Sequence, residues 1–392
     1  MDELLYQYNP WWEDEAPWQG VRSRDRYVAQ ILPLLTSRRA ILLTGLRRVG
    51  KSTIMKLLAR SMIESGVDPI DILYISLDDY QIRSHSILDV IDAFRKLHRH
   101  PADRSLVLLL DEIAVKTDFH QQLKTLVDRE DVRIVAASSS SSLLRDQGAQ
   151  LTGRSVTIEV LPLTFEEYLE FREIHVARRD QRLLDGYFHD YVRHGGLPEH
   201  VLFPGREYLM SLVDDIIQKD ITAYHGLRDP QIIRDYFTLL MERSGKQVSI
   251  NKIGNILKMS PDTSRRYLGY FQDAFLIHLV PRNGTTNERL LSPKKVYACD
   301  LGVKHLFIGD RDWGSYFENY VYLRLRPWQS VSYVLENDNE LDFLTEDGTL
   351  IEAKYNADLS GRQKEAFERF DARRKFVLRS IADTKDIDSF WE

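Results

Sequence analysis

The chain of 392 residues has one cysteine, Cys299, so neither an intrachain disulfide nor a cysteine-rich zinc site can form. It has no apolar run near the roughly 20 residues of a membrane span; its longest are as short as Leu106–Leu110. The N-terminal MDELLYQYNPWW carries acids where a secretory leader needs bases. These absences predict a soluble, cytoplasmic protein with no membrane partner. Charge of one sign is not in strong excess either: 53 Lys and Arg against 59 Asp and Glu give −6, which by itself favours no polyanion. No repeat or low-complexity tract stands out beyond Ser138–Ser142. What is present is globular composition, 43% hydrophobic and 10% aromatic, which excludes disorder as the main state. The length suits two or three domains.

Residues 1–21 hold Asp2, Glu3, Glu13, Asp14 and Glu15, no Lys or Arg, and three of the six tryptophans, Trp11, Trp12 and Trp18. With no helical or strand period, they are predicted to form an arm docked on the next domain or on a partner subunit. After a helical stretch from Asp25, apolar strands at Ala40–Leu43, Ile72–Leu77, 105–112 and Val132–Ala137 alternate with helical patterns at Ile54–Glu64 and Ile87–Leu97. Continuous apolar strands separated by helices predict an α/β domain, at 22–165, with a parallel sheet covered on both faces. A helical lid is expected over 166–236.

The run Gly45-Leu46-Arg47-Arg48-Val49-Gly50-Lys51-Ser52, followed by Thr53, fits G-x-x-x-x-G-K-[ST] between an apolar strand and an amphipathic helix. Glycines let the backbone N–H groups turn towards a phosphate, and the following helix adds its positive end. Lys51 is expected on the β- and γ-phosphates of ATP and Ser52 on Mg²⁺. The strand Leu106–Leu110 ends in Asp111-Glu112: Asp111 is the candidate for the Mg²⁺ shell and Glu112 for polarising the attacking water. Ser138, Ser139 or Ser140, at the end of the fourth strand, could sense the γ-phosphate. Arg154 could supply positive charge to the transition state, in its own or a neighbouring subunit, or form a surface salt bridge. Arg47 and Arg48 either add charge at the triphosphate or face solvent.

The segments LLTGLRRVGKST, LLLDEI, SSSSSLL…LTGR and LPLTFEEYLEF resemble a large archaeal and bacterial family of AAA+-type ATP-binding proteins with a C-terminal domain of unknown function. YNPWW, the Gly195-Gly196-Leu197-Pro198-Glu199 turn, Asp220-Ile221 and ELDF…EAK extend the resemblance over nearly the whole chain. It implies phosphate binding at Gly45, Gly50, Lys51 and Ser52, the acid pair Asp111 and Glu112, a nucleotide-responsive Arg154, and sites placed at subunit interfaces of an oligomer. One departure is Ala114, where the family usually has Gln after Asp-Glu-Ile.

Residues 230–295 carry eleven Lys or Arg against five Asp or Glu, a net +6 that leaves −12 for the remainder. Here Ser249 and Ser260-Pro261 each suit a helix start, and an apolar strand at Phe275–Val280 and a Pro281–Asn287 loop follow. That is a helix-turn-helix with a wing, predicted for a winged-helix domain at 237–300. The second helix is expected to expose Asp262, Ser264, Arg265 and Arg266. Lys252, Lys258, Arg265, Arg266, Arg282 and Arg289 suit DNA phosphates; protein contact is the equal alternative.

The segment 340–354 reads as a hairpin with a Glu346-Asp347-Gly348 turn. Its register sets Asp342 opposite Glu352 and Lys354 opposite Glu340. Acids with a nearby Lys form the D…E-x-K pattern of restriction-type nucleases, where the acids hold Mg²⁺ and Lys supports the attacking water. Glu318 resembles the extra helix-borne acid of that fold, so 301–392 is predicted to be a small α/β nuclease-like domain. His189, His194 and His200 match no metal spacing, and Cys299 reads as buried packing. Three functions compete: a nucleotide-driven DNA-processing ATPase, an ATP-switched signalling or scaffold protein, and an ATP-gated nuclease.

Overall fold

The computed structural model describes the chain except residues 14–17, 19, 38, 130, 140–152, 385–386 and 388–392. Ser140, Leu151, Thr152, Asp14 and Glu15 therefore lie outside the described residues. The chain folds as two compact units, Met1–Leu161 and Pro162–Glu392. No helix among the described residues is long and apolar enough to cross a membrane.

The first unit is built on short strands, all but the last in chain order buried along almost their whole length, the last being mostly half-buried. They are β1 (Ala40–Thr44), β2 (Ile72–Ser76), β3 (Leu106–Asp111), β4 (Val132–Ala137) and β5 (Ser155–Glu159). All pair in parallel in the order β2-β3-β4-β1-β5. Parallel strands need crossovers, and the helices that supply them must cover both faces. α1 (Asp2–Tyr8), α4 (Ile87–His98) and α5 (Phe119–Arg129) cover one face, burying Leu4, Leu5, Phe94 and Leu123 against Leu42, Ile75, Leu108 and Ile134. α2 (Asp25–Leu34) and α3 (Lys51–Glu64) pack together on the other.

The N-terminal segment differs from the expected irregular arm. Residues 2–8 are helical, and the segment docks on its own sheet. Asn9 is fully buried and pairs with both backbone groups of Tyr74 on the edge strand β2: Nδ2 donates to the Tyr74 carbonyl (2.9 Å) and Oδ1 accepts from the Tyr74 N–H (2.6 Å). Trp11 and Trp12 donate their indole N–H groups to Ile72 O (3.3 and 3.1 Å). An amide side chain thus stands in for a neighbouring strand and closes the sheet edge.

The second unit opens with α6 (Phe165–Phe171), whose Thr164 and Glu167 form a reciprocal capping box, followed by α7 (Leu184–His194), α8 (Pro198–Leu202) and α9 (Arg206–Asp215). The boundary expected at 236 falls inside α10 (Pro230–Met241). Beyond it come β6 (Gln247–Val248), α11 (Ile250–Ile256), α12 (Pro261–Asp273), β7 (Ile277–Val280), α13 (Thr286–Leu291) and β8 (Lys294–Ala298), with the sheet ordered β6-β8-β7. Ser249 caps α11 through the Lys252 N–H, and Ser260 caps α12 through the Thr263 N–H. The expected loop after β7 contains a helical turn, α13, started by the Thr285–Glu288 capping box.

The chain then forms α14 (Leu301–Ile308), α15 (Trp313–Leu325), β9 (Val331–Glu336), β10 (Asn339–Thr345), β11 (Thr349–Ala353), α16 (Gly361–Arg369) and β12 (Arg374–Leu378). The sheet order is β12-β11-β10-β9; β12 runs parallel to β11 and the other pairs are antiparallel. Phe343 faces Ile351 and Leu344 faces Leu350. Gly348, at φ 82°, makes the left-handed turn residue that β10 and β11 need.

Candidate functional site

The strand order explains why four distant segments meet in the first unit. β4 lies between β1 and β3, so parallel pairing brings the C-terminal ends of all three to one sheet edge. The phosphate loop leaves β1, Asp111 and Glu112 end β3, and Ser138 and Ser139 follow β4.

The loop is shaped by its glycines. Gly45 has φ 134°, and a Cβ there would lie 2.2 Å from the Val160 carbonyl oxygen. Gly50 has φ 94° just before α3, and Arg48 is also left-handed at φ 64°. No side chain caps the start of α3, which leaves its first N–H groups for an anion. Leu46 and Val49 are buried under the loop, while Lys51 donates to the carbonyls of Gly45 (2.8 Å) and Leu46 (2.9 Å). Thr53 is half-buried in the first turn of α3.

Tyr74 on β2 is a residue the motif does not reveal. Its hydroxyl donates to Asp111 Oδ2 at 3.0 Å. One phenol therefore holds the carboxylate that the sequence assigns to Mg²⁺. Asp111 Oδ1 accepts the Glu112 N–H at 3.0 Å. Glu112 turns out of the strand at φ 47° and accepts from Ser139 Oγ at 3.4 Å. Burial pushes the Glu112 carboxyl above the usual range, opposed by the charges of Lys51 and Arg47. The acid, Lys51 and Arg47 thus share one electrostatic neighbourhood. Arg154 is elsewhere. It precedes β5, pairs with Asp128 at 2.9 Å, and lies at the sheet edge opposite the phosphate loop of its own chain.

A second cluster lies in the second unit. Ala353 N–H donates to Asp342 Oδ2 (3.1 Å) and Asp342 N–H to Glu352 Oε1 (3.1 Å). Lys354 Nζ is 3.1 Å from Glu352 Oε2 and 3.8 Å from Asp342 Oδ2. Gln363 on α16 donates to both Glu352 oxygens at 3.3 Å. Burial, then Asp342, pushes the Glu352 carboxyl up to about 9, whereas Lys295 and Lys354 overcome burial and hold Asp342 below its ordinary value. Glu318 on α15 joins through Lys295 and the Tyr297 hydroxyl, which donates to Oε1 at 2.7 Å. Lys295, Tyr297 and Gln363 lie outside the D…E-x-K pattern, and no spacing rule points to them; Glu340, set opposite Lys354 by the hairpin register, pairs with Lys295 at 2.8 Å. Among the described residues, no group of three or more His, Cys, Asp or Glu is arranged to hold a metal ion.

Lys252, Lys258, Arg265 and Arg266 are exposed on and beside α11 and α12, with Arg265 paired to Asp262 at 3.0 Å. Ser264, expected at the surface, is instead fully buried, because its hydroxyl meets Tyr236 Oη (2.9 Å) and donates to the Ile250 carbonyl (3.1 Å). Arg282 pairs with Glu288 at 3.4 Å. His189, His194 and His200 bond separately to Tyr355, Asp190 O and His194 O.

Fold and site together define a P-loop nucleotide-binding domain. Residues 37–169 match the family described as an AAA domain, and residues 185–313 match a domain of unknown function. The chain thus carries a segment similar to an AAA domain, followed by one similar to that second domain. An uncharacterized protein of Methanocaldococcus jannaschii is 27% identical over 341 residues, covering 82% of this chain and 76% of its own. An uncharacterized protein of Haemophilus influenzae is 26% identical over 338 residues, covering 82% and 83%. Among solved structures, AMPPCP-bound DnaA from Aquifex aeolicus is 16% identical and covers 69% of this chain and 92% of its own, with a TM-score of 0.28.

Proposed function

We propose that the protein binds Mg–ATP on residues 45–53, hydrolyses it, and couples the nucleotide state to DNA contact by the helix-turn-helix segment. The convergence of Lys51, Asp111 and Glu112 at one sheet edge carries this reading. The loop N–H groups bind the phosphates, and Lys51 exchanges its loop carbonyls for phosphate oxygens. Ser52 at the start of α3 and Asp111, held in place by Tyr74, are the hydroxyl and carboxylate that would hold Mg²⁺, a hard oxygen-seeking ion that neutralises phosphate charge. Glu112 orients water and takes its proton; burial makes it a stronger base than a surface carboxylate. Ser139 holds the Glu112 carboxylate from the side. Exposed Lys252, Lys258, Arg265 and Arg266 support phosphate contact along DNA.

A second reading, an ATP-switched scaffold, draws support from the helical turn α13. Leu290 and Leu291 there are 74% and 86% exposed, which suits a protein partner better than a phosphate backbone. Steady-state ATP hydrolysis, with and without duplex DNA, separates the two. DNA-stimulated hydrolysis that falls about 10²–10⁴-fold in Glu112→Gln is the expected result. A rate indifferent to DNA supports the scaffold reading, and unchanged ATP affinity in Lys51→Ala overturns the phosphate-loop assignment.

A further inference from the structure

The acid cluster of the second unit contains a cation of its own. Lys295 is on β8, within the helix-turn-helix segment, yet its side chain is fully buried among carboxylates of the last four-stranded sheet and α15. Its Nζ lies 2.6 Å from Glu318 Oε1, 2.8 Å from Glu340 Oε1 and 3.4 Å from Asp342 Oδ1. An ammonium has three donors in a compact head, and here it meets three carboxylate oxygens. Tyr297 Oη and Gln247 Nε2 satisfy further lone pairs of Glu318 and Glu340, at 2.7 and 2.8 Å. Lys354 supplies a second ammonium beside Asp342 and Glu352.

The D…E-x-K pattern implies a divalent ion bound by these acids. The residues present do not fit one. Oxygen ligands approach Mg²⁺ or Ca²⁺ to about 2.0–2.6 Å, and the point among Glu318, Glu340 and Asp342 is already taken by Nζ. A divalent ion there must expel Lys295 from a position with no solvent exposure and leave a buried ammonium without its partners, which is strongly unfavourable. The Nζ also lies 5.8 and 6.0 Å from the ring centroids of Tyr297 and Phe343, so its surroundings offer no wet alternative on that side.

We propose that Lys295 takes the place of the divalent cation in the Glu318–Glu340–Asp342 cluster, so that the C-terminal domain is a non-cleaving scaffold. In it, the acids tie the β6-β8-β7 sheet to the β12-β11-β10-β9 sheet. The inference is independent of ATP turnover and rests on this cluster alone.

Mn²⁺ titration of the full chain without nucleotide, read by electron paramagnetic resonance of the free ion, tests it. Wild type and Asp342→Asn are expected to bind the same number of ions, since the phosphate-loop residues are common to both. Lys295→Met keeps the stem length and removes the charge, and is expected to gain one site, at least tenfold tighter than any in wild type. That site disappears again in Lys295→Met/Asp342→Asn. A wild-type site lost on Asp342→Asn overturns the proposal, as does a folded Lys295→Met that gains no site. If circular dichroism shows that Lys295→Met does not fold, wild type against Asp342→Asn and Glu318→Gln decides alone: equal binding supports the proposal and loss overturns it.

Discussion

A single phenol sets the scale of control in the nucleotide site. The Tyr74 hydroxyl holds Asp111. Tyr74→Phe removes that bond and leaves the ring and the loop in place. One hydrogen bond contributes about 0.5–1.5 kcal/mol. The Mg²⁺ concentration for half-maximal ATP hydrolysis is therefore expected to rise roughly 2–10-fold, with ATP affinity in the absence of Mg²⁺ unchanged. In the second cluster, Glu352 shows a different residue effect. Its carboxyl is pushed from 4.5 to about 9 in the folded chain, chiefly by burial and then by Asp342. A folded-state value above the unfolded one means that the folded chain binds the extra proton. This stabilisation is complete below pH 4.5 and is lost as pH rises through about 9. Glu352→Gln removes that dependence and keeps an acceptor for the Asp342 N–H. The melting temperature of Glu352→Gln relative to wild type is expected to climb between pH 5 and pH 9, measured by calorimetry. A flat difference would show that Glu352 is ionised across that range.

At the scale of elements, local chemistry explains what was legible. Helix starts at Ser249 and Ser260, the left-handed Gly348 turn, and the strand-loop-helix around Lys51 each depend on residues a few positions apart. Their physical causes are therefore written into short stretches of sequence. The N-terminal segment shows where this stops. Leu4 and Leu5 are buried in a helix only seven residues long, too short for a period to stand out and stable only against α4 and β2. Asn9, an ordinary loop residue in sequence, becomes the cap of the sheet edge. Asn9→Ala leaves the buried N–H and C=O of Tyr74 without those partners, at about 1–3 kcal/mol for each group. Thermal unfolding is expected at a clearly lower temperature. Because Tyr74 is also the anchor of Asp111, the Mg²⁺ requirement is expected to rise as it does for Tyr74→Phe.

At the scale of the whole molecule, sheet order decides which residues can work together. The order β2-β3-β4-β1-β5 gathers the loop, the acids and Ser139 at one edge and leaves Arg154 at the other. An arginine at that edge supplies charge to a triphosphate only in a neighbouring subunit. Arg154→Ala is accordingly expected to lower hydrolysis by about 10³-fold with ATP affinity retained. Mixing Arg154→Ala with Glu112→Gln is expected to restore part of the rate, because each chain then supplies what the other lacks. An unchanged rate in Arg154→Ala would reduce this residue to its ion pair with Asp128.

The parallel α/β domain, the strand-loop-helix around Lys51 and the pairing of β10 with β11 were readable from the residues alone, because each follows from periodicity or from spacing within one short segment. Long-range packing alone puts the Tyr74 hydroxyl on Asp111, Asn9 on a sheet edge and Lys295 in the acid cluster. These contacts link residues far apart in the chain. A lysine at position 295 reads as one more basic residue of a positively charged segment until the β8 strand turns it into a carboxylate pocket. Burial then makes its partners, and not its local pattern, the cause of what it does.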